Sequence, residues 1–323
     1  MTFTHKKNML VCSIFGVMAL VSNNSAFAQV TPEVLKSIAI PNKVETPIGK
    51  LEFFDGVPTK ATVETVYDNL DRMRAVEVFL DNVGALSVYG VISGNASIGL
   101  SQPNQIAVAE KLLDSHSLYL TGNTSTMYSI GHLDLEAYGP TVVEVPPGML
   151  GMLDDAWMRF VENFGVAGPD RGKGGKYLVL PPNYKGEVPE GYFIVKAPTF
   201  TNWFFMRGSI ADGLAPALKN IKDNLKVYPL KSATNPPATE FVNITGKSYN
   251  TITPSDFTYF ESLNKIIQKE PLETLSVESR GLLAAIGIVK GKPFNPDARM
   301  KRLLTEAATI GDATARATLY SQR

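Results

Sequence analysis

Cysteine is almost absent. The chain of 323 residues has one, Cys12, and it lies in an N-terminal apolar run. From residue 29 onward there is none, which excludes disulfides, thiolate metal sites and a cysteine nucleophile. Histidine is nearly as scarce. Of three, only His116 and His132 follow residue 28, and neither belongs to an H-x-H or H-E-x-x-H pattern, so no metal site is expected. A charge excess is missing as well: 31 basic residues face 31 acidic ones. Without Lys6 and Lys7 of the first 28 residues, 29 face 31. No Lys/Arg run occurs, which argues against nucleic acid as a partner.

The N-terminus points to export. Lys6 and Lys7 precede the short apolar run Met9–Val21, and Ser25-Ala26-Phe27-Ala28 before Gln29 reads as a cleavage site. Residues 1–28 are therefore a signal peptide, too short in its apolar part to span a membrane. The expected location is the periplasm, or outside the cell, with no stable membrane span after the signal is removed.

Residues 29–58 read as a lead-in broken by Pro32, Pro41, Pro47 and Gly49. Thr59 caps a helix to about Asn82, with Val63, Val66, Leu70, Met73, Val76 and Leu80 on one face and Asp68, Asp71, Arg72 and Glu77 solvated elsewhere. Residues 84–100, rich in Gly and Ser, read as irregular. A second helix is expected over roughly 103–113, from Ile106, Val108, Ala109, Leu112 and Leu113.

From Leu118 to Phe205 short apolar runs alternate with turns, the pattern of an antiparallel sandwich. The runs are 117–121, 127–135, 141–145, 176–180, 192–197 and 200–205. Within Gly122–Pro147, two adjacent strands are expected with Gly139-Pro140 as the turn between them. Asp154–Gly165 fits either element and is read as a strand, with Trp157, Arg159 and Val161 on one side. A helix follows from Asp212 to about Lys226. Residues 231–252 form a linker, and 253–323 an all-helical module of three helices, capped at Ser255, Ser276 and Asn295-Pro296. The fold class is α+β: an antiparallel β-sandwich domain over 59–230 with N-terminal and flanking helices, and a C-terminal helical module.

Several stretches carry a resemblance: TPIGKLEFFDGVPTKATVETVYDNLDRMRAV (46–76), GNTSTMYSIGHLDL (122–135), GPTVVEVPPG (139–148), GPDRGKGGKYLVLPP (168–182) and TNWFFMRGSIADG (201–213). They resemble the domain-of-unknown-function 1254 family over most of 46–230, and the helical tail resembles the insert that follows in that family. The resemblance implies an immunoglobulin-like sandwich, then a helical piece, then a jelly-roll domain of the 1214 family, in exported proteins of unassigned biochemistry. Two departures stand out. Ser125 occupies a position where the family often has Asp, while Thr126 and Tyr128 remain. The chain ends at Arg323, where the jelly-roll domain would begin, so the expectation is a fragment or a truncated relative, with any site between the two sandwiches incomplete.

Few residues could do chemistry. His132 and Asp134 are two apart, so on a strand they share a face, and an acid beside a histidine can fix its tautomer. With Tyr128 they form the catalytic candidates of a hydrolase, although no G-x-S-x-G elbow supplies a nucleophile. Asp154 and Asp155 read as a cap or turn. GPDRGKGGK lacks the G-x-x-x-x-G-K-[ST] spacing of a phosphate loop and reads as a mobile hairpin loop, with Asp170, Arg171 and Lys173 as a flexible lip. No cofactor is implied. Trp203, Phe205 and Arg207 alternate onto one strand face, with Phe204 and Met206 opposite. Tryptophan beside arginine suits sugar rings or an acidic ligand. Trp203, Arg207, Asn123 and Trp157 are the ligand-binding candidates. The leading expectation is a binding or assembly module for an envelope saccharide or lipid, either a small molecule or a polymer. A periplasmic hydrolase and an inactive truncated relative are the alternatives. Leu304, Ala308 and Leu319 on the last helix are expected to need a cover, and self-association stays open.

Overall fold

The structure is a computed structural model and describes residues 30–321 except 40, 117, 120 and 121. Residues 1–28, read above as a signal peptide and holding Cys12, and most of the run 117–121 lie outside the described residues. The chain divides into two compact units, 1–63 and 64–323.

The first unit holds α1 (Pro32–Ile38) and a small antiparallel sheet of β1 (Lys43–Thr46), β2 (Gly49–Phe54) and β3 (Val57–Pro58). It ends in the first turn of α2 (Lys60–Asp81). Thr59 Oγ1 accepts from Thr62 N at 3.3 Å, the N-cap expected from the sequence. Thr62 Oγ1 in turn exchanges two hydrogen bonds with the backbone of Glu52, which ties the sheet to the helix start.

The second unit continues through α3 (Val83–Ser97), β4 (Gln105–Val108), β5 (Met127–Asp134), α4 (Leu135–Tyr138), β6 (Thr141–Val145), β7 (Leu150–Asp155) and β8 (Phe160–Gly165). Then come β9 (Gly175–Leu180), β10 (Phe193–Lys196), β11 (Thr201–Gly208), α5 (Leu214–Asn224), β12 (Lys226–Pro229) and β13 (Glu240–Asn243). Three helices close the chain: α6 (Thr258–Lys269), α7 (Val277–Ala285) and α8 (Ala298–Tyr320).

The strands form a six-stranded sheet in the order β13-β4-β5-β11-β7-β8 and a four-stranded sheet in the order β10-β9-β6-β12. Pairing is antiparallel except for β13 on β4 and β10 on β9, which are parallel. The sheets are thus mixed, where an all-antiparallel arrangement was expected. Their inner faces share one core: Ile106, Leu133, Leu153, Phe164, Phe204 and Met206 meet Val143, Tyr177, Val179, Val195 and Val227. Ile221 of α5 seals one side.

The six-stranded sheet is buried on its other face as well. There Tyr128, Ile130 and Trp203 pack under Val88 and Val91 of α3. A third core lies beyond, where α2 and α3 meet α6, α7 and α8 around Phe79, Leu86, Tyr259, Phe260, Leu263 and Leu304. The helices after residue 253 therefore share a core with the N-terminal helices, and β13 lies within the stretch read as a linker.

Several local expectations are overturned. Of residues 84–100, read as irregular, 84–97 belong to α3 because tertiary packing overrides propensity. A Cβ on Gly90 would fall 2.4 Å from Thr251 O, and one on Gly94 2.5 Å from Asn250 O. The glycines let the strand-like segment 250–252 lie against the helix backbone. The helix expected over 103–113 is instead strand β4, whose Ile106, Ala107 and Val108 are all fully buried between neighbours. Buried on both faces, the strand shows no alternation, and periodicity could not separate it from a helix. Asp154–Gly165 spans the end of β7, a turn carrying Trp157, and β8. β5 and β6 belong to different sheets, and α4 lies between them. On α2 the buried apolar residues are Ala75, Val78 and Phe79, while Met73 of the expected stripe is 54% exposed. Asp68 and Asp71 are not merely solvated: Arg299 of α8 reaches both, at 2.6 and 2.9 Å, and Arg72 pairs with Glu306 at 2.8 Å. Leu304 and Ala308 are fully buried, so of the three α8 positions expected to need a cover only Leu319 is exposed.

Candidate functional site

β5 carries the polar stretch singled out in the sequence, and its register explains what each residue meets. Antiparallel pairing with β11 sets His132 opposite Trp203, Asp134 opposite Thr201 and Tyr128 opposite Arg207. Directly opposed residues lie on one sheet face. The alternation read from the sequence is correct here: Trp203 and Phe205 pack on the α3 side, Phe204 and Met206 in the core between the sheets.

At the C-terminal end of β5, α3 and α6 leave a cavity of about 240 Å³. Val88 and Ile92 of α3, Leu133 and Ile266 make its apolar walls, and His132, Asp134, Lys265, Lys269 and Glu270 its polar ones. His132 and Asp134, paired by sequence spacing, do meet in one site. Their expected division of labour is different, however. Asp134 Oδ1 accepts from Ala137 N at 3.2 Å, capping α4. Its Oδ2 lies 2.8 Å from Lys269 Nζ. The carboxylate is oriented by helix and lysine, and among the described residues no group hydrogen-bonds the His132 imidazole. Burial pushes the His132 pKa below its usual value, opposed by Asp134 and reinforced by Lys269. The lowered pKa favours the neutral ring.

Glu270 closes α6 and is buried, 1% exposed. Its Oε2 accepts from Phe200 N at 2.7 Å and its Oε1 from Thr201 N at 3.0 Å. Burial raises its pKa, and those donors work against the rise. Lys265 reaches Tyr89: Nζ is 3.5 Å from the phenol oxygen and 6.0 Å from the ring centre. Among the described residues no carboxylate pairs with Lys265. Sequence reasoning missed Lys265, Lys269 and Glu270. They flank the apolar stripe of α6, where charge ordinarily means only a solvated face.

The ligand-binding candidates are scattered, and two are buried. Trp203 is 4% exposed, and Trp157, 9% exposed, packs in the helical core with Nε1 donating to Thr274 Oγ1 at 2.8 Å. Neither offers a ring face to a sugar: α3, which the sequence reading missed, covers Trp203, and Trp157 sits in the helical core. Asn123 is a loop former: its Oδ1 accepts from the backbone and hydroxyl of both Ser125 and Thr126. Tyr128 is 1% exposed, and its hydroxyl accepts from Asn123 N. Only Arg207 is exposed. The loop read as a flexible lip is pinned: Asp170 is 4% exposed and accepts from Tyr177 OH at 3.0 Å. Asp155 Oδ1 accepts from Trp157 N and Arg159 N, the turn expected of it. Among the described residues no cluster of three or more His, Cys, Asp or Glu could hold a metal ion. No single described helix is long and apolar enough to cross a membrane.

Comparison with known proteins supplies relatives of the fold. The family described as "Protein of unknown function (DUF1254)" matches residues 103–229. No curated protein matches the sequence. The crystal structure of the VPA0106 protein from Vibrio parahaemolyticus is similar over 77% of this chain and 59% of its own, with a TM-score of 0.56 and 18% identity. This chain thus spans about three fifths of that relative's length, and likeness at that identity shows the fold alone.

Proposed function

We propose that this chain, with its DUF1254 region at 103–229, is an exported binding module for a small amphipathic ligand of the cell envelope. The observation that carries the reading is the cavity between α3, β5 and α6: apolar walls, a histidine whose pKa burial lowers, and at the rim a lysine with no carboxylate partner among the described residues. An apolar pocket with a few convergent polar groups is the usual form of a ligand site. At about 240 Å³ it is smaller than the roughly 300–1,000 Å³ typical of drug-sized ligands. That favours one short acyl chain with an acidic head near Lys265. Burial of both tryptophans argues for lipid over saccharide at this cavity. The basic start, apolar run and A-x-A site of residues 1–28 support export to the periplasm. The two facing sheets support an immunoglobulin-like sandwich, with parallel pairings at one edge of each as departures.

Titration of the purified protein with decanoate and decanol by calorimetry tests this. Decanoate binding, lost in Ile92→Trp and weakened about tenfold in Lys265→Glu, is expected. A wild type that binds neither probe sinks the reading.

A second reading, a hydrolase with His132 as base, is supported by the imidazole on the cavity wall, whose lowered pKa favours the neutral ring. The engagement of Asp134 with Lys269 and Ala137 weakens it. An ester-hydrolysis screen giving identical rates for wild type and His132→Ala would remove it.

A further inference from the structure

A second concavity, of about 490 Å³, lies at the opposite end of β5, lined by Ser125, Thr126, Leu150, Arg207 and Ser209. From Tyr128 to Asp134 the strand covers about 20 Å, so this site is separate from the cavity beside α6. Arg207 is its one charged group. The guanidinium carbon sits 5.1 Å from the Phe205 ring centre and 5.7 Å from that of Tyr128. Among the described residues no carboxylate or carbonyl takes its N–H groups. Stacking of this kind holds the planar fork in place while leaving its donors free.

The hydroxyl groups around it are already committed in a definite way. Ser125 Oγ and Thr126 Oγ1 both donate to Asn123 Oδ1, at 3.2 and 2.9 Å. Each hydroxyl has a single proton, so what these two present outward is lone pairs. Ser209 Oγ accepts from Ala211 N at 3.3 Å and keeps its proton to give. The wall therefore offers a bidentate cationic donor, one hydroxyl donor and two acceptors. Leu150, 44% exposed, adds an apolar surface. A bare phosphate or sulfate presents mainly acceptors and would leave the Ser125 and Thr126 oxygens facing it without a proton.

We infer that this concavity binds a hydroxylated carboxylate of the uronic-acid type. The carboxylate takes the Arg207 fork, ring hydroxyls donate to Ser125 and Thr126, and a C–H face rests on Leu150. The inference does not depend on the acyl-chain reading of the other cavity.

Calorimetric titration with digalacturonate, its neutral counterpart galactobiose, and inorganic phosphate tests it, with thermal unfolding as a fold control. Digalacturonate is expected to bind at least about tenfold more tightly than either comparison ligand. Arg207→Gln should lower that affinity about tenfold with an unchanged melting temperature, and Ser125→Ala should weaken digalacturonate but not phosphate. Ile92→Trp should leave it intact, separating failure here from failure at the acyl-chain cavity. Phosphate binding as tightly as digalacturonate, no digalacturonate binding, or an Arg207→Gln variant that binds like wild type would each overturn the assignment.

Discussion

Lys269 Nζ lies 2.8 Å from Asp134 Oδ2, joining the end of the central strand β5 to the last turn of α6. The pair is about 70% buried on each side, and it sets the electrostatics of the cavity wall beside His132. The histidine's pKa is lowered first by burial, raised by Asp134 and lowered by Lys269.

Two substitutions should therefore move His132 in opposite directions. Asp134→Asn removes the favourable charge and lowers its pKa further. Lys269→Met removes the unfavourable one and raises it. An NMR titration of the His132 ring protons reads both shifts. Movement in the same direction would mean that the pair acts on His132 through structure rather than charge. Because the folded pKa lies below the ordinary 6.5, stability attributable to His132 is complete above pH 6.5 and declines as pH falls through the lowered value.

Glu270 should behave as a docking group between α6 and the sheet. Glu270→Ala leaves the part-buried amides of Phe200 and Thr201 without acceptors, at a cost of about 2–4 kcal/mol. Glu270→Gln keeps one acceptor and should cost less. Its folded pKa is raised above 4.5, so folding favours the protonated acid. The stability of wild type relative to Glu270→Gln should fall as pH rises from 4.5 through the raised value. Urea unfolding at several pH values measures this, and a difference that grows with pH contradicts it.

Gly94→Ala separates propensity from packing. In an ordinary helix the change gains about 1 kcal/mol. Here the new Cβ would stand 2.5 Å from Asn250 O, a backbone atom. The segment must shift, and an overpacked core loses about 1–3 kcal/mol. A net loss is expected in chemical denaturation. A gain in stability would mean that segment 250–252 yields freely.

Arg299 bridges Asp68 and Asp71 at the surface between α2 and α8. Arg299→Ala should lower the melting temperature by about 1–3 °C at low salt. The difference should shrink in 1 M NaCl, where the screening length is about 3 Å. A difference that does not respond to salt would assign the effect to lost side-chain packing.

What was legible in the sequence is the strand-rich middle. β6, β9 and β11 lie where alternation and Gly/Pro punctuation put them, and the two faces of β11 were assigned correctly. That His132 and Asp134 share a face was also legible, since two residues apart on a strand is one face by covalent geometry; that Asp134 would turn to Lys269 and Ala137 instead of the imidazole was not. β4 was missed because burial on both sides erases the period that marks a strand. α3 was missed because its glycines look like loop residues until segment 250–252 is set against them. Trp203 and Trp157 looked like ligand platforms for the same reason: an aromatic on a strand face says nothing of the helix that will cover it.

By itself the sequence determined the local elements with a regular period, the absence of cysteine chemistry beyond residue 28, and the shared face of His132 and Asp134. Those follow from covalent spacing and composition. Only the tertiary structure decided that Asp134 answers to Lys269, that Glu270 holds two amides of β11 and its approach, and that Arg207 stands over two aromatic rings with no carboxylate partner among the described residues. Apart from Phe205, two residues before Arg207, those partners lie tens to more than a hundred residues apart in the chain, and no local pattern encodes which distant side chain a fold will bring within reach.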